Sequence, residues 1–250
     1  MTLVLIADLQ TIMAKAFARC SSFEALKTTS TVKTIKKEAF RSCEKLVKVD
    51  LNNDIESIGD SSFARCHVMT TIWLPFSLQS IEAGVFQCCH AFSKIYLWKN
   101  HHRHNHIPIE SIGMAAFYDS GLQMVSILST VRIIATSAFQ YCRSLQEVEL
   151  GEGLKKVGDS VFANCLHLSA AFLPKSLERI SAVTFRDCWS LLGVEIHSEI
   201  LQDSVQVENG ILQGRKSLYS LAADSALIAK FLRKTFASRH QLRGRVRGSL

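Results

Sequence analysis

An alternation of apolar and polar positions recurs along most of this chain and divides it into equivalent segments. Its clearest marker is a phenylalanine that returns at intervals of 23, 23, 23, 31, 22, 23 and 23 residues. We number the segments as copies 1 to 8 by these residues, which are Phe17, Phe40, Phe63, Phe86, Phe117, Phe139, Phe162 and Phe185. Self-similarity with a period of roughly 20 to 50 residues is typical of solenoids. The pattern therefore predicts a stack of similar coils.

Each copy carries the same short apolar run after its phenylalanine. A cysteine follows the phenylalanine by three residues, except in copy 5, where Ser120 takes its place. The run then has the form seen at Leu145, Val148 and Leu150, whose last two apolar residues alternate with outward ones. This alternation predicts a strand with one buried face. An apolar residue five positions before each phenylalanine, such as Val157, predicts a second, shorter strand.

The segment around each phenylalanine predicts a short helical turn. Asp60 and Asp159 precede it at the position of helix-capping residues, and we interpret them as caps rather than catalytic acids. Such a turn is too short to be stable alone. Each copy also has an apolar stripe that nothing within the copy can cover. The sequence therefore predicts that the phenylalanines form one internal file and that neighbouring copies stabilise each other.

The repeat resembles a known family. Residues 57–75, SIGDSSFARCHVMTTIWLP, follow the pattern I-G-x-x-A-F-x-x-C-x-x-L-x-x-V-x-L-P of the BspA-like leucine-rich repeats almost fully. Residues 157–174 follow it too, and the resemblance extends from about Leu9 to His197, although Ser120 and the additional Cys88 depart from it. The resemblance implies an α/β solenoid: a right-handed leucine-rich-repeat stack with a parallel β-sheet on one face and short helical turns on the other. It also implies surface recognition and adhesion, without catalytic residues.

Three regions are predicted. Residues 1–197 form the leucine-rich-repeat solenoid with a loop insertion near 99–108, residues 198–236 a hairpin and a capping helix, and residues 237–250 a basic disordered tail. Leu3 and Leu5 align with Val49 and Leu51, so the chain begins within a strand. We expect either that it is part of a longer protein or that another chain covers this edge.

The cysteines indicate a reducing environment. Seven of the eight lie at one position of the repeat, where equivalent side chains point in parallel, so we expect buried free thiols rather than disulfides. This favours a cytoplasmic location, with the cell surface as the alternative if a segment precedes Met1. No stretch of about 20 apolar residues predicts a transmembrane segment. We expect no cofactor, and no cysteine and histidine set has the spacing of a zinc site.

The outward strand residues define a candidate binding surface. The position between the last two apolar residues of each strand holds Lys27, Asp50, Trp73, Tyr96, Ser126, Glu149, Phe172 and Glu195. Exposed aromatic residues are typical of binding hot spots. The predicted ligand-binding residues are Trp73, Tyr96, Trp98, Phe172 and Glu149. The alternative is that the flanking loop or the C-terminal segment folds over the aromatic residues.

The insertion contains four histidines, His101, His102, His104 and His106. They are candidate ligands for a transition metal or a charge switch near neutral pH. The alternative is a solvated loop, and we favour it because no acidic or cysteine ligand accompanies the histidines.

The net charge of +7 arises at one end of the chain. Seven Lys or Arg and no acidic residues lie between Lys230 and Leu250, which leaves 22 residues of each sign elsewhere. Arg239, Arg243, Arg245 and Arg247 form a basic tail. Such tails bind nucleic acid or anionic surfaces, or only keep a chain soluble.

Three functions follow from these patterns. We favour a noncatalytic protein-interaction module, a recognition or scaffold unit that binds a protein or glycan through the sheet. The alternative is an adaptor that binds nucleic acid or an anionic surface through the arginine tail. An enzyme is disfavoured because the polar residues recur with the repeat and do not converge on a pocket. A hydrogen bond from His90 or His167 to a thiol in a cleft would support it.

Overall fold

The structure is a computed structural model and describes residues 1–5, 8–96, 109–181, 183–196 and 206–207. The chain divides into two compact units, Met1–Gln213 and Gly214–Leu250. All of the described residues belong to the first unit.

Two short strands recur along the described residues. The longer ones are β1 (Thr2–Val4), β3 (Ala25–Lys27), β5 (Lys48–Asp50), β7 (Thr71–Trp73), β9 (Lys94–Tyr96), β11 (Met124–Ser126), β13 (Glu147–Glu149), β15 (Ala170–Leu173) and β17 (Gly193–Ile196). The shorter ones are β2 (Thr11–Ile12), β4 (Thr34–Ile35), β6 (Ser57–Ile58), β8 (Ser80–Ile81), β10 (Ser111–Ile112), β12 (Ile133–Ile134), β14 (Lys156–Val157), β16 (Arg179–Ile180) and β18 (Gln206–Val207). We refer to the odd-numbered strands as the first strand stack and the even-numbered strands as the second.

Each described strand pairs in parallel with its equivalent in the neighbouring copy. The first stack has the orders β1-β3-β5-β7-β9 and β11-β13-β15-β17, and the second has β2-β4-β6 and β8-β10-β12-β14-β16-β18. Leu3 pairs with Leu26 and Leu26 with Val49, as the alignment of the copies predicts. The described residues therefore form a parallel-strand β-solenoid. The predicted partner of β18 in a hairpin, near residue 211, lies outside the described residues.

The strands of the first stack bury one residue and turn its neighbours outward. Leu26, Val49, Ile72 and Val148 are the buried central residues of their strands. Side chains in a strand alternate between its two faces, so one apolar residue per strand is enough to build a continuous core when copies stack. The core consequently lies between the two strand stacks and the turns that join them.

In the turns around the phenylalanines, successive backbone amides donate hydrogen bonds alternately to the next copy and within their own turn. The amide of Phe17 donates to the carbonyl of Ala39 in copy 2 at 2.8 Å. The next amide, that of Ala18, donates to the carbonyl of Lys15 within its own turn at 3.0 Å. The turns therefore stabilise the stack in the same way as the strands, through main-chain hydrogen bonds between copies.

The predicted short helical turns are not confirmed, because the described residues contain no helix. Two positions in these turns have left-handed φ values, such as 60° at Lys15 and 62° at Arg19 in copy 1. A right-handed helix cannot continue through a left-handed residue. Asp60, predicted to cap a helix, instead accepts a hydrogen bond from the Ala83 amide of the next copy at 3.2 Å. No helix among the described residues is long and apolar enough to cross a membrane.

The phenylalanines form one file of stacked rings through the core. Successive rings of copies 1 to 8 have centroids 5.1 to 6.0 Å apart and interplanar angles of 5 to 19°. Phe92 adds a ring that stacks on Phe86 at 5.1 Å. This confirms the predicted internal file. Each buried ring of this size contributes roughly 1.5 to 3 kcal/mol to stability.

The cysteines are free and run beside the phenylalanines, which confirms the prediction of unpaired thiols. Each buried thiol donates a hydrogen bond to the carbonyl of a phenylalanine in the preceding copy, as Cys66 does to Phe40 and Cys165 to Phe139, both at 3.2 Å. Burial raises the pKa of the Cys89 and Cys142 thiols to about 12. These thiols therefore stay protonated at neutral pH and pack as small apolar side chains.

Candidate functional site

The strand register pairs predicted outward residues with one another in both sheets of the first strand stack. Lys27 pairs with Asp50, Trp73 with Tyr96, Ser126 with Glu149, Glu149 with Phe172 and Phe172 with Glu195. We refer to the outward side of the first strand stack as the sheet face. Their pairing across neighbouring strands is as the repeat predicts. Their role in binding stays a prediction.

Two aromatic residues of the sheet face are half-buried. Trp73 lies on β7, and Phe172 lies on β15 between Glu149 and Glu195 in the register. Trp73 pairs with Tyr96 on one side, and Phe172 pairs with a residue on each side, so both rings extend from strands of a sheet. Rings on such a support lose little conformational freedom when a partner covers them.

Charge is distributed unevenly along the sheet face. Lys27, Lys48 and Lys94 are exposed on β3, β5 and β9. Glu149 is exposed on β13, and its carboxylate accepts a hydrogen bond from the Ser126 hydroxyl at 3.1 Å. The face is therefore richer in basic residues near Trp73 and in acidic residues near Phe172.

Several predicted site residues lie outside the described residues. They are Trp98, His101, His102, His104, His106, Arg239, Arg243, Arg245 and Arg247. Their proposed roles in aromatic contact, metal binding and anion binding stay predictions.

An apolar hollow lies beneath the junction between β9 and β11. Its walls include Ile95, Ile109, Phe117, Val125 and part of Ser126. The Ser126 hydroxyl itself donates to Glu149 on the exposed sheet face. The walls otherwise consist of aliphatic and phenyl groups, which can do no acid–base chemistry.

A polar cluster lies in the turns of copies 4 and 5. The thiol sulfur of Cys88, an imidazole nitrogen of His90 and a carboxylate oxygen of Asp119 lie within 4.8 Å of one another. We name these three residues the turn cluster. His90 Nε2 is 3.1 Å from Asp119 Oδ2, and their side chains are 55% and 37% exposed. The cluster is therefore accessible from solvent.

A second histidine supports the turn cluster from copy 3. The His67 ring stacks on that of His90 at a centroid distance of 4.9 Å, and His67 Nδ1 is 2.9 Å from the carbonyl oxygen of Cys88. Burial, and after it the charge of Asp119, raises the pKa of the Cys88 thiol, while Arg65 opposes the shift.

The turn cluster was missed at the level of sequence because its residues belong to different copies. Only Cys88 and His90 are close along the chain, and Asp119 follows the irregular insertion. One signal could have revealed it. Cys88 and Asp119 both lie two residues after the phenylalanine of their copy, at Phe86 and Phe117, and stacked copies bring equal positions together.

A hydrogen bond from His90 or His167 to a thiol would support an enzyme, but both histidines have other partners. His90 bonds to Asp119, and His167 Nδ1 lies 2.6 Å from the carbonyl oxygen of Arg143. Among the described residues, neither histidine forms a hydrogen bond to a thiol.

Comparison with known proteins agrees with the repeat and the fold. A family model described as the BspA type leucine-rich repeat region matches six copies, over residues 2–106 and 110–241. A leucine-rich repeat protein of T. pallidum is 30% identical, with a TM-score of 0.59 over 67% of this chain and 77% of that one. A leucine-rich cell surface protein of Faecalibacterium prausnitzii is 16% identical, with a TM-score of 0.44 over 78% and 72% of the two chains. No curated protein matches the chain.

Proposed function

Because this chain belongs to the BspA-type leucine-rich repeat family, we propose that it is a noncatalytic protein-interaction module. In this proposal it serves as a recognition or scaffold unit and binds a protein or glycan partner through the sheet face. One observation carries the proposal. The inward residues of the first strand stack fill the core, whereas the half-buried rings of Trp73 and Phe172 lie at outward positions of paired strands.

The aromatic residues supply the affinity in this proposal. Binding energy at interfaces is concentrated in a few residues, among which tryptophan is enriched. Trp73 is half-buried, so its ring has a fixed support and still offers surface to a partner. A flat ring suits both an apolar protein side chain and the face of a sugar.

The charges supply orientation. Lys48 and Lys94 flank Thr71, which lies on the same strand as Trp73, and Glu149 lies beside Phe172. A partner with an acidic patch and a basic patch in the matching order binds in one orientation and is repelled in the reverse one. The uneven charge of the face thus favours one defined complex.

The test starts from partners cross-linked to the full chain and identified by mass spectrometry, followed by calorimetry with the purified partner. We expect Trp73→Ala and Phe172→Ala each to weaken the Kd at least about tenfold, since hot-spot truncations cost about 2 kcal/mol or more. Trp189→Ala is the matched control, because Trp189 is 67% exposed and lies in a turn of copy 8, off the sheet face.

Unchanged affinity in both sheet-face variants, or an equal loss in Trp189→Ala, contradicts the proposal. Folding of every variant is checked by circular dichroism. A chain that ends at residue 236 tests the alternative adaptor role, which rests on the seven basic and no acidic residues between Lys230 and Leu250. Binding through the sheet face survives this truncation. Binding to nucleic acid or anionic vesicles through the tail is lost with it and falls steeply with salt.

A further inference from the structure

We propose that Cys88, His90 and Asp119 form a binding site for a divalent transition-metal ion, with Zn²⁺ as the best-suited ion. The sulfur, nitrogen and oxygen atoms of these residues lie within 4.8 Å of one another. The site lies in the turns rather than on the sheet face, so it goes beyond the proposed interaction function and either proposal can fail alone.

The stacking of the copies builds this site. Cys88 and Asp119 occupy the same position of copies 4 and 5, with left-handed φ values of 57° and 53°. The Cys88 amide donates to the Tyr118 carbonyl at 2.8 Å, which joins the two turns directly beside the cluster. Residues at the same repeat position in neighbouring coils share one backbone conformation here, so their side chains lie next to each other. His90 then adds a third group from the same turn as Cys88.

The turn of copy 5 is shorter than those of other copies, and its main chain at Gly121 lies against His90. Phe139 follows Phe117 by 22 positions, and Gly121 falls at the position that His90 holds in copy 4. A Cβ atom at Gly121 would lie only 2.0 Å from the His90 carbonyl oxygen. No side chain fits there, so glycine permits the close approach that places Asp119 beside His90.

The three groups match the ligand chemistry of zinc. Zn²⁺ binds cysteine sulfur at about 2.3 Å and histidine nitrogen or carboxylate oxygen at about 2.0–2.2 Å. Tetrahedral geometry with these bond lengths places ligand atoms roughly 3.3 to 3.8 Å apart. The distance of 3.1 Å from His90 Nε2 to Asp119 Oδ2 is already close to this range. Three protein ligands leave the fourth position to water.

Binding exchanges protons for the metal. The Cys88 thiol releases its proton to solvent as the sulfur–metal bond forms. His90 gives up the proton on Nε2, so that the neutral imidazole keeps its proton on Nδ1, and the hydrogen bond from Nε2 to Asp119 is replaced by bonds from Nε2 and from the carboxylate to the ion. His67 acts as a positioning residue, because it holds the ring plane of His90 and contacts the Cys88 carbonyl. Groups behind metal ligands typically change affinity by about 10- to 100-fold.

Co²⁺ is the probe, because a cobalt–thiolate bond has its own charge-transfer absorption. We expect the metal-free full chain to take up one equivalent of Co²⁺ with this absorption, and Zn²⁺ to displace it. Cys88→Ser removes the absorption, and Asp119→Asn weakens binding more than His67→Ala does. Both ligand substitutions suit the fold, because Ser42 and Asn164 hold the same position of other copies with φ values of 59° and 62°.

A variant with Ala at residues 101, 102, 104 and 106 serves as the control for the histidine-rich insertion. It must keep the thiolate absorption at the same stoichiometry, and His167→Ala must leave binding unchanged. The proposal is overturned if the unchanged chain has no thiolate absorption, if the absorption persists in Cys88→Ser, or if it disappears in the insertion variant.

Discussion

Ser62 is a polar residue at a position that most other copies fill with apolar side chains. Its hydroxyl is fully buried and, among the described residues, forms no hydrogen bond. The same position holds Ala39 in copy 2, Val85 in copy 4 and Ala138 in copy 6, all buried. The solenoid therefore tolerates an unsatisfied hydroxyl in copy 3 at a cost in stability.

Replacing Ser62 by alanine is expected to stabilise the protein. An unpaired buried polar group costs about 1–3 kcal/mol, so we expect Ser62→Ala to raise the free energy of unfolding by about 1 kcal/mol in a urea titration. Ser120→Ala is the control, because Ser120 is equally a buried serine but lies 3.3 Å from the Cys142 sulfur in a hydrogen bond. It should lower the free energy of unfolding. A loss of stability in both variants would argue against the unsatisfied hydroxyl.

At the scale of the element, the turns hold residues in a conformation that most amino acids avoid. Left-handed φ values recur at two positions, one of which holds Lys15, Glu38, Ser61, Gly84, Ala115, Ser137 and Ser160. Only Gly84 is a glycine. The bonds between copies impose this conformation, because alternate amides must face the neighbouring coil.

Two adjacent alanines in copy 5 allow the cost of a strained backbone to be measured apart from the cost of lost packing. Ala115 has a φ of 54°, whereas Ala116 is buried outside the left-handed region. Left-handed φ costs a residue with a Cβ atom about 1–2 kcal/mol, more than the roughly 0.5–1 kcal/mol entropic cost of glycine. We expect Ala115→Gly to raise the melting temperature and Ala116→Gly to lower it, as measured by calorimetry. The opposite order would show that the turns are not strained.

At the scale of the whole molecule, stability is distributed along the file of rings. Phe139 stacks on Phe117 at 5.1 Å and on Phe162 at 5.5 Å and is fully buried. Phe17 stacks on Phe40 at 5.3 Å but is only half-buried. In a solenoid each ring stabilises chiefly the interfaces with its neighbours.

The two rings should therefore differ when truncated. We expect Phe139→Ala to lower the free energy of unfolding by about 3–5 kcal/mol and Phe17→Ala by clearly less, because the cost of truncation grows with the cavity it leaves. Hydrogen exchange should locate the loss of protection in copies 5 to 7 for Phe139→Ala and in copies 1 and 2 for Phe17→Ala. Equal, global effects would mean that the stack unfolds as one cooperative body.

Sequence alone determined the period, the file of phenylalanines, the free thiols and the pairing of equivalent strand residues in neighbouring copies. The reason is physical: in a stack of equal coils, residues one period apart become neighbours, so spatial contact can be counted along the chain. Trp73 and Tyr96 are 23 residues apart and pair in the sheet for this reason.

Only the tertiary structure decided the conformation of the turns and the grouping of Cys88, His90 and Asp119. Local propensity around each phenylalanine favours a helix, but half of the turn amides bond to the next copy, and such bonds cannot be inferred from one copy. The turn cluster arises where the repeat is least regular, between the copies on either side of the insertion and at the shortened turn of Gly121. There the distance between atoms depends on how two unlike coils fit together.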